Sequence, residues 1–234
     1  MLKVENLSAG YKELRILFDI TARFEEGRIT TIAGPNGSGK STLLKSIFGL
    51  TTIHGGQTMF NGKDITFTAP YKRTRMGIAY LPQVGKVFTN LRVSENLKMA
   101  GYILEDEEFN KRQEVALDTF PDLRNKLSQK AANLSGGERQ FLGIATALIR
   151  KADILMLDEP SAMLSPKFSS IIFKKILELK ERFNLTILLV EQNIKSALDI
   201  SDNAYMLKSG KIDFEGTAQN LLKHDEFEKF CIGI

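Results

Sequence analysis

Three short stretches hold residues whose types and spacing suit phosphate chemistry. The first is Gly34-Pro35-Asn36-Gly37-Ser38-Gly39-Lys40-Ser41-Thr42, a G-x-x-x-x-G-K-S string. Its glycines let the backbone wrap closely, so that consecutive N–H groups point inward as an anion nest. Lys40 offers a point charge for the β- and γ-phosphates of a nucleoside triphosphate, and Ser41 a hydroxyl for Mg²⁺. The second stretch is the pair Asp158-Glu159, which follows the apolar run Ile154-Leu155-Met156-Leu157. Asp158 suits Mg²⁺, held directly or through water, and Glu159 suits general-base activation of an attacking water. In isolation such a pair would be a solvated strand end; an upstream phosphate loop gives it a purpose. The third is Leu134-Ser135-Gly136-Gly137-Glu138-Arg139-Gln140, a Ser-Gly-Gly turn running into a helix. It reads either as an ordinary Ser N-cap or as a second anion site at a helix start.

These residues need elements to position them. The apolar run Ile29–Ala33 precedes the glycine loop and the helical pattern Leu43–Phe48 follows it. That strand-loop-helix context makes the loop a credible phosphate binder. Leu2–Leu7 and Leu17–Phe24 read as strands, and Gln57–Phe60 leads into an Asn61-Gly62 hairpin turn. Tyr11 falls between the first two strands, in a loop, where an aromatic either packs or stacks on a base. Ile78–Leu81 is a further short strand, followed by Pro82-Gln83. From Val93 to about Lys130 the pattern is helical and rich in Glu and Lys, with Pro121 as a break. Glu138–Arg150 continues as helix, with Phe141, Leu142, Ala145, Leu148 and Ile149 on one face. The last third alternates: strand at Asp153–Leu157, amphipathic helix at Lys167–Phe183, strand at Thr186–Val190, short helix at Ile194–Asp199, strand at Tyr205–Leu207. Such alternation implies a largely parallel sheet covered by helices.

Composition sets the outer bounds. The 234 residues suit one domain, or a core with an insertion. Hydrophobic residues make up 43% and charged residues 26%, as in a soluble globular protein. The net charge of +4 is spread along the chain with no basic tract, which argues against nucleic acid as a partner. A single cysteine, Cys231, excludes an internal disulfide framework. Met1–Glu5 reads as strand and lacks the apolar region of a signal peptide, and the longest apolar runs are strand-sized. A role at a membrane therefore implies a partner that spans it.

Taken together, in this order and spacing, the motifs resemble those of the nucleotide-binding subunit of an ATP-binding-cassette (ABC) transporter, and the resemblance covers essentially the whole chain. It implies an α/β P-loop NTPase with a mainly parallel central sheet, an N-terminal antiparallel β subdomain and an inserted helical subdomain. The whole chain, residues 1–234, would be one ABC ATPase domain, with its core at 1–92 and 151–234. The helical subdomain and signature would occupy about 93–150. By the same resemblance Gly34–Thr42 is the Walker A loop, Ile154–Asp158 Walker B, Glu159 the catalytic carboxylate and Gln83 the Q-loop glutamine. Ser41, Gln83 and Asp158 would hold Mg²⁺, Tyr11 would stack on adenine, and Ser135, Gly136, Gly137 and Gln140 would act on ATP held by a second subunit. The implied partners are that second nucleotide-binding subunit, packed head to tail, transmembrane permease subunits and, indirectly, an extracytoplasmic solute-binding protein. The implied place is the inner face of the cell membrane. Phe88 and Leu91 are candidates for a docking groove, or for core.

Two departures refine the resemblance. The family's histidine after the next strand is missing: the chain reads Leu189-Val190-Glu191-Gln192-Asn193, and its two histidines, His54 and His224, lie elsewhere. Gln192 is expected as a neutral contact to the γ-phosphate. The loop Ser161-Ala162-Met163-Leu164-Ser165-Pro166 carries Ser165 where an aspartate is usual. Both departures are similar to one ATPase subunit of branched-chain amino-acid importers and their amide and urea relatives. The rival readings are an exporter ATPase for lipid or polysaccharide, a soluble ATPase of DNA repair or translation, and a P-loop kinase.

Overall fold

The computed structural model describes residues 1–224 and Phe227; Cys231 lies outside the described residues. Two sheets are built from ten strands, with eight helices around them among these residues. The first sheet is antiparallel, in the order β2-β1-β4-β5: β1 Leu2–Tyr11, β2 Leu14–Phe24, β4 Thr52–Phe60 and β5 Lys63–Asp64. The second sheet runs β10-β9-β3-β8-β7-β6. Its strands β9 (Asn203–Lys208), β3 (Ile29–Ala33), β8 (Thr186–Val190), β7 (Ile154–Asp158) and β6 (Ile78–Leu81) are parallel, while β10 (Lys211–Thr217) is an antiparallel edge. Strands β3, β7 and β8 are buried at every residue, as the continuous apolar runs of a sheet covered on both faces require.

One face of this sheet carries Ile32, Met156, Leu188 and Val190. They pack on Leu43, Leu44 and Ile47 of helix α1 (Lys40–Phe48), and beyond it on Leu2, Val4 and Leu7 of the first sheet. The other face carries Leu155, Leu157, Ile187 and Leu189. These join one apolar cluster with helices α3 (Val93–Ala100), α4 (Asp106–Thr119), α5 (Gly136–Ile149) and α6 (Pro166–Phe183). Pro121 ends α4 as expected and opens a 3-10 turn, Pro121–Lys126.

The structure differs from the sequence reading in several places, among them the earlier starts of β2 and β4 and the short β5. Tyr11 is the last residue of β1, opposite Leu14, rather than a loop residue. A six-residue helix, α2 (Pro70–Arg75), had no apolar pattern to reveal it. Strand β10 closes a hairpin with β9 through Ser209 and Gly210. The short α7 (Ile194–Asp199) matches its expected span, and α8 (Ala218–Leu222) ends the described elements.

Candidate functional site

Register brings the chemistry to one edge. Ile32 pairs with Val190, Val190 with Asp158, and Leu81 with Leu157. The residues that follow each strand therefore emerge side by side: Gly34 after β3, Glu159 after β7, Gln192 after β8 and Gln83 after β6. This is the carboxyl edge of a parallel sheet, where such folds place their ligands.

The glycine loop is seated tightly. Gly34 has φ 143°, and a Cβ there would lie 2.2 Å from the carbonyl oxygen of Leu207, so only glycine fits. Ser38 N–H donates to the Pro35 carbonyl at 3.2 Å, and Gly210 N–H to the Ser38 carbonyl at 3.0 Å, fixing the loop against the β9–β10 turn. Asn36 and Gly37 form its exposed crest, while Gly39 stands against Ile16 and Leu17 of β2. Ser38 Oγ is buried without a hydrogen-bond partner. Lys40 Nζ donates to the carbonyls of Gly34 at 2.8 Å and Pro35 at 2.9 Å. Burial lowers the Lys40 pKa, and the charges of Glu159 and Asp158 partly oppose that shift. Thr42 is buried in the first turn of α1.

Ser41 Oγ donates to Asp158 Oδ1 at 2.7 Å, and Tyr80 OH donates to the other oxygen, Oδ2, at 2.9 Å. Sequence reasoning treated Tyr80 only as a strand residue; no local signal marks its hydroxyl. Burial, then the Asp158 charge, raises the Tyr80 pKa, so the phenol stays a donor. Glu159 adopts φ 50°, a left-handed conformation that is uncommon outside glycine and clusters at functional sites. Its Oε2 accepts from Gln83 Nε2 at 2.8 Å and from Gln192 Nε2 at 2.9 Å. Two amides thus converge on one carboxylate oxygen. His54 lies on β4, and His224 sits edge-on against Phe214 of β10.

Ser135 caps α5 through a capping box: its Oγ accepts from Glu138 N–H at 3.3 Å, and Glu138 Oε2 accepts from Ser135 N–H at 2.8 Å. Ser135 and Gly136 are exposed. Gly137 is buried; a Cβ there would fall 1.9 Å from the Phe168 ring of α6. Gln140 is turned inward at 2% exposure and accepts from Lys86 Nζ; Ser135 and Gly136 are the exposed residues of this motif, with Glu138 and Arg139 half-buried. Ser165 caps α6 by accepting from Phe168 N–H at 3.4 Å. Tyr11, 41% exposed, ends the β1–β2 hairpin whose Leu17 touches Gly39.

The description "ABC transporter" belongs to the family whose model matches residues 17–162. A probable branched-chain amino acid transport ATP-binding protein LivF of Archaeoglobus fulgidus is 60% identical, over 100% of this chain and 99% of its own. The lipopolysaccharide export system ATP-binding protein LptB of Haemophilus influenzae is 32% identical, over 100% and 97%. Among solved structures, the ADP conformation of an ATP-binding cassette of an ABC transporter superposes with a TM-score of 0.88. It is 30% identical and covers 100% of this chain and 99% of its own.

Proposed function

We propose, from the premise that this chain belongs to the ABC transporter family as an ATP-hydrolysing subunit, that it powers import of branched-chain amino acids or closely related amino acids or amides. The observation that carries the transport class is the 60% identity over full length to a relative named for branched-chain amino acid transport. The export relative, at 32%, is much more distant, so import is the preferred direction.

Hydrolysis, in this reading, is in-line attack of water on the γ-phosphate. The loop Gly34–Thr42 cradles the phosphates: Lys40 gives up its two carbonyl contacts for phosphate oxygens, and the buried Ser38 hydroxyl gains a partner. Glu159 orients or deprotonates the water, and Gln192, adjacent at 2.9 Å, donates its amide to the γ-phosphate without titrating. Tyr11 stacks on the adenine. Ser41 and Asp158, in contact at 2.7 Å, and the side-chain oxygen of Gln83, whose amide nitrogen reaches Glu159, would offer the hard oxygen ligands that Mg²⁺ takes together with waters and phosphates. When bound, that ion would neutralise charge on the β- and γ-phosphates. Ser135 and Gly136, exposed at the start of α5, complete the site of a second subunit packed head to tail.

Among the described residues no helix is long and apolar enough to cross a membrane. In this reading, which rests on the transport relatives, permease subunits carry the solute and this chain binds them peripherally at the inner face. The docking surface we assign is a groove of about 550 Å³ between α2 and the α3–α4 connection. It is lined by Tyr71, Arg75, Tyr102, Ile103 and Arg150, with both tyrosines and Ile103 strongly exposed. The exposed Phe88 flanks the Q-loop, while Leu91 is half-buried. The test is co-purification from native membranes, followed by uptake of radiolabelled leucine, isoleucine and valine in vesicles. ATP-dependent uptake abolished by Lys40→Ala supports the reading; co-purification with an outward lipid or glycolipid transporter contradicts it.

A further inference from the structure

Glu191 is a buried carboxylate that this chemistry does not use. It follows β8 directly and is 1% exposed. Oε1 accepts from Ser161 N–H at 2.7 Å and Oε2 from Gln192 N–H at 3.1 Å. The Ser161 hydroxyl and the Asn193 N–H also stabilise it, so dipoles rather than a cation hold the charge. Burial raises its pKa and these donors oppose the rise.

A buried, unpaired carboxylate is costly, and an apolar side chain would fill the same space at less expense. Its placement gives a reason for its presence. Ser161 lies two residues beyond Glu159, within the turn after β7, and Gln192 lies on the turn after β8. Outside the strand ladder those turns are joined by Glu159 N–H to the Val190 carbonyl at 2.8 Å, and by the Gln192–Glu159 side-chain contact at 2.9 Å. Glu191 is the group that holds backbone from both turns at once.

We propose that Glu191 is a positioning residue, its carboxylate clamping the turn after β7 to the turn after β8 so that Glu159 and the Gln192 amide keep one geometry over the γ-phosphate. The proposal rests on the reading of Glu159 as the water-orienting carboxylate. Loosening such a clamp displaces reacting groups, and a shift of about 1 Å can cost roughly 10²-fold in rate. Glu191→Gln preserves shape, but turns one acceptor into an NH₂ that opposes a backbone N–H.

The experiment is steady-state ATPase of the full-length protein for the parent, Glu191→Gln, Gln192→Ala and the double variant, together with affinity for a fluorescent ADP analogue. Glu191→Gln should lower kcat by about tenfold or more, with KM for ATP and ADP affinity within about twofold of the parent. The double variant should fall no more than about twofold below the worse single, because both act on one geometry. The proposal is overturned if kcat stays within about twofold of the parent, if the two losses multiply in full, or if KM and ADP affinity deteriorate with kcat, the mark of a general structural defect. Should Glu191→Gln not fold, Ser161→Ala removes a donor from the same carboxylate. A kcat loss of about threefold or more at unchanged KM then supports the clamp, and a smaller loss overturns it. A parent protein without ATPase activity would instead sink the underlying reading of Glu159.

Discussion

Replacing Arg73 by alanine removes the most heavily used side chain in the interior. Arg73 is fully buried on α2 and donates to five backbone carbonyls. Nε reaches Thr68 at 2.8 Å, Nη1 reaches Ser46 at 3.1 Å and Ile47 at 2.5 Å, and Nη2 reaches Ile65 at 2.6 Å and Thr66 at 2.8 Å. Ser46 and Ile47 lie in the last turn of α1, whose first turn carries Lys40 and Ser41. Burial pulls the guanidinium down to about 10, so it stays charged at neutral pH and keeps all its donors. In the variant, Ser46 and Ile65 carbonyls retain backbone donors from Gly49 and Thr68. The other three lose the guanidinium at a cost of about 1–3 kcal/mol each, and relaxation with water entry places the total near 3–5 kcal/mol. At about 2–4 °C per kcal/mol for a chain of this size, Tm should drop by roughly 6–20 °C. Thermal unfolding followed by circular dichroism measures this directly. Arg73→Lys should fall between the two, because one ammonium cannot span carbonyls on both sides. An Arg73→Ala protein within about 2 °C of the parent would refute the reasoning.

Gly137→Ala drives a Cβ into the Phe168 ring, so it should destabilise the α5–α6 contact by about 1–3 kcal/mol, and Phe168→Ala in the same chain should recover part of the loss in a chemical melt. Lys86 has its pKa lowered to about 8, first by burial and then by Arg139. Its folded value lies below the unfolded value of about 10.4, so the folded state binds fewer protons between them and this group's contribution makes stability rise with pH through that window. Lys86→Met should flatten the rise when melts are compared from pH 7 to 10; an unchanged slope would contradict the assignment. Gln192→Ala should lower kcat about tenfold or more, whereas Gln192→His should add a pH-dependent limb to kcat near pH 6.5 that the parent lacks.

The central site was legible because its residues sit at the ends of strands that announce themselves. Ile154–Asp158 and Thr186–Val190 are continuous apolar runs buried on both faces, so their ends, and with them Asp158, Glu159 and Gln192, could be placed within a residue. The antiparallel sheet was harder. Asn6 has φ 49° and the β1 register shifts between Val4 and Leu7, so alternation breaks there and the reading stopped at Leu7 while the strand continues to Tyr11. Helix α2 is Pro-Tyr-Lys-Arg-Thr-Arg, whose buried residue is a charged one; hydropathy has nothing to find. Tyr80, Lys86 and Glu191 act through contacts with residues distant in the chain or on another turn, which no local spacing encodes. Gln140 was grouped with the signature by its position in the string, yet it lies where the protein covers α5 and its side chain is taken by Lys86, a contact distant in the chain.

The most direct test of the account is Glu159→Gln, which keeps the shape and the contacts of Gln83 and Gln192 within reach but removes the charge proposed to activate water. With ATP and Mg²⁺ the variant should bind nucleotide with parent-like affinity, lose at least about a hundredfold in turnover, and run as an ATP-dependent dimer in size-exclusion chromatography with light scattering. Turnover within about threefold of the parent would place the activating group elsewhere and contradict the account.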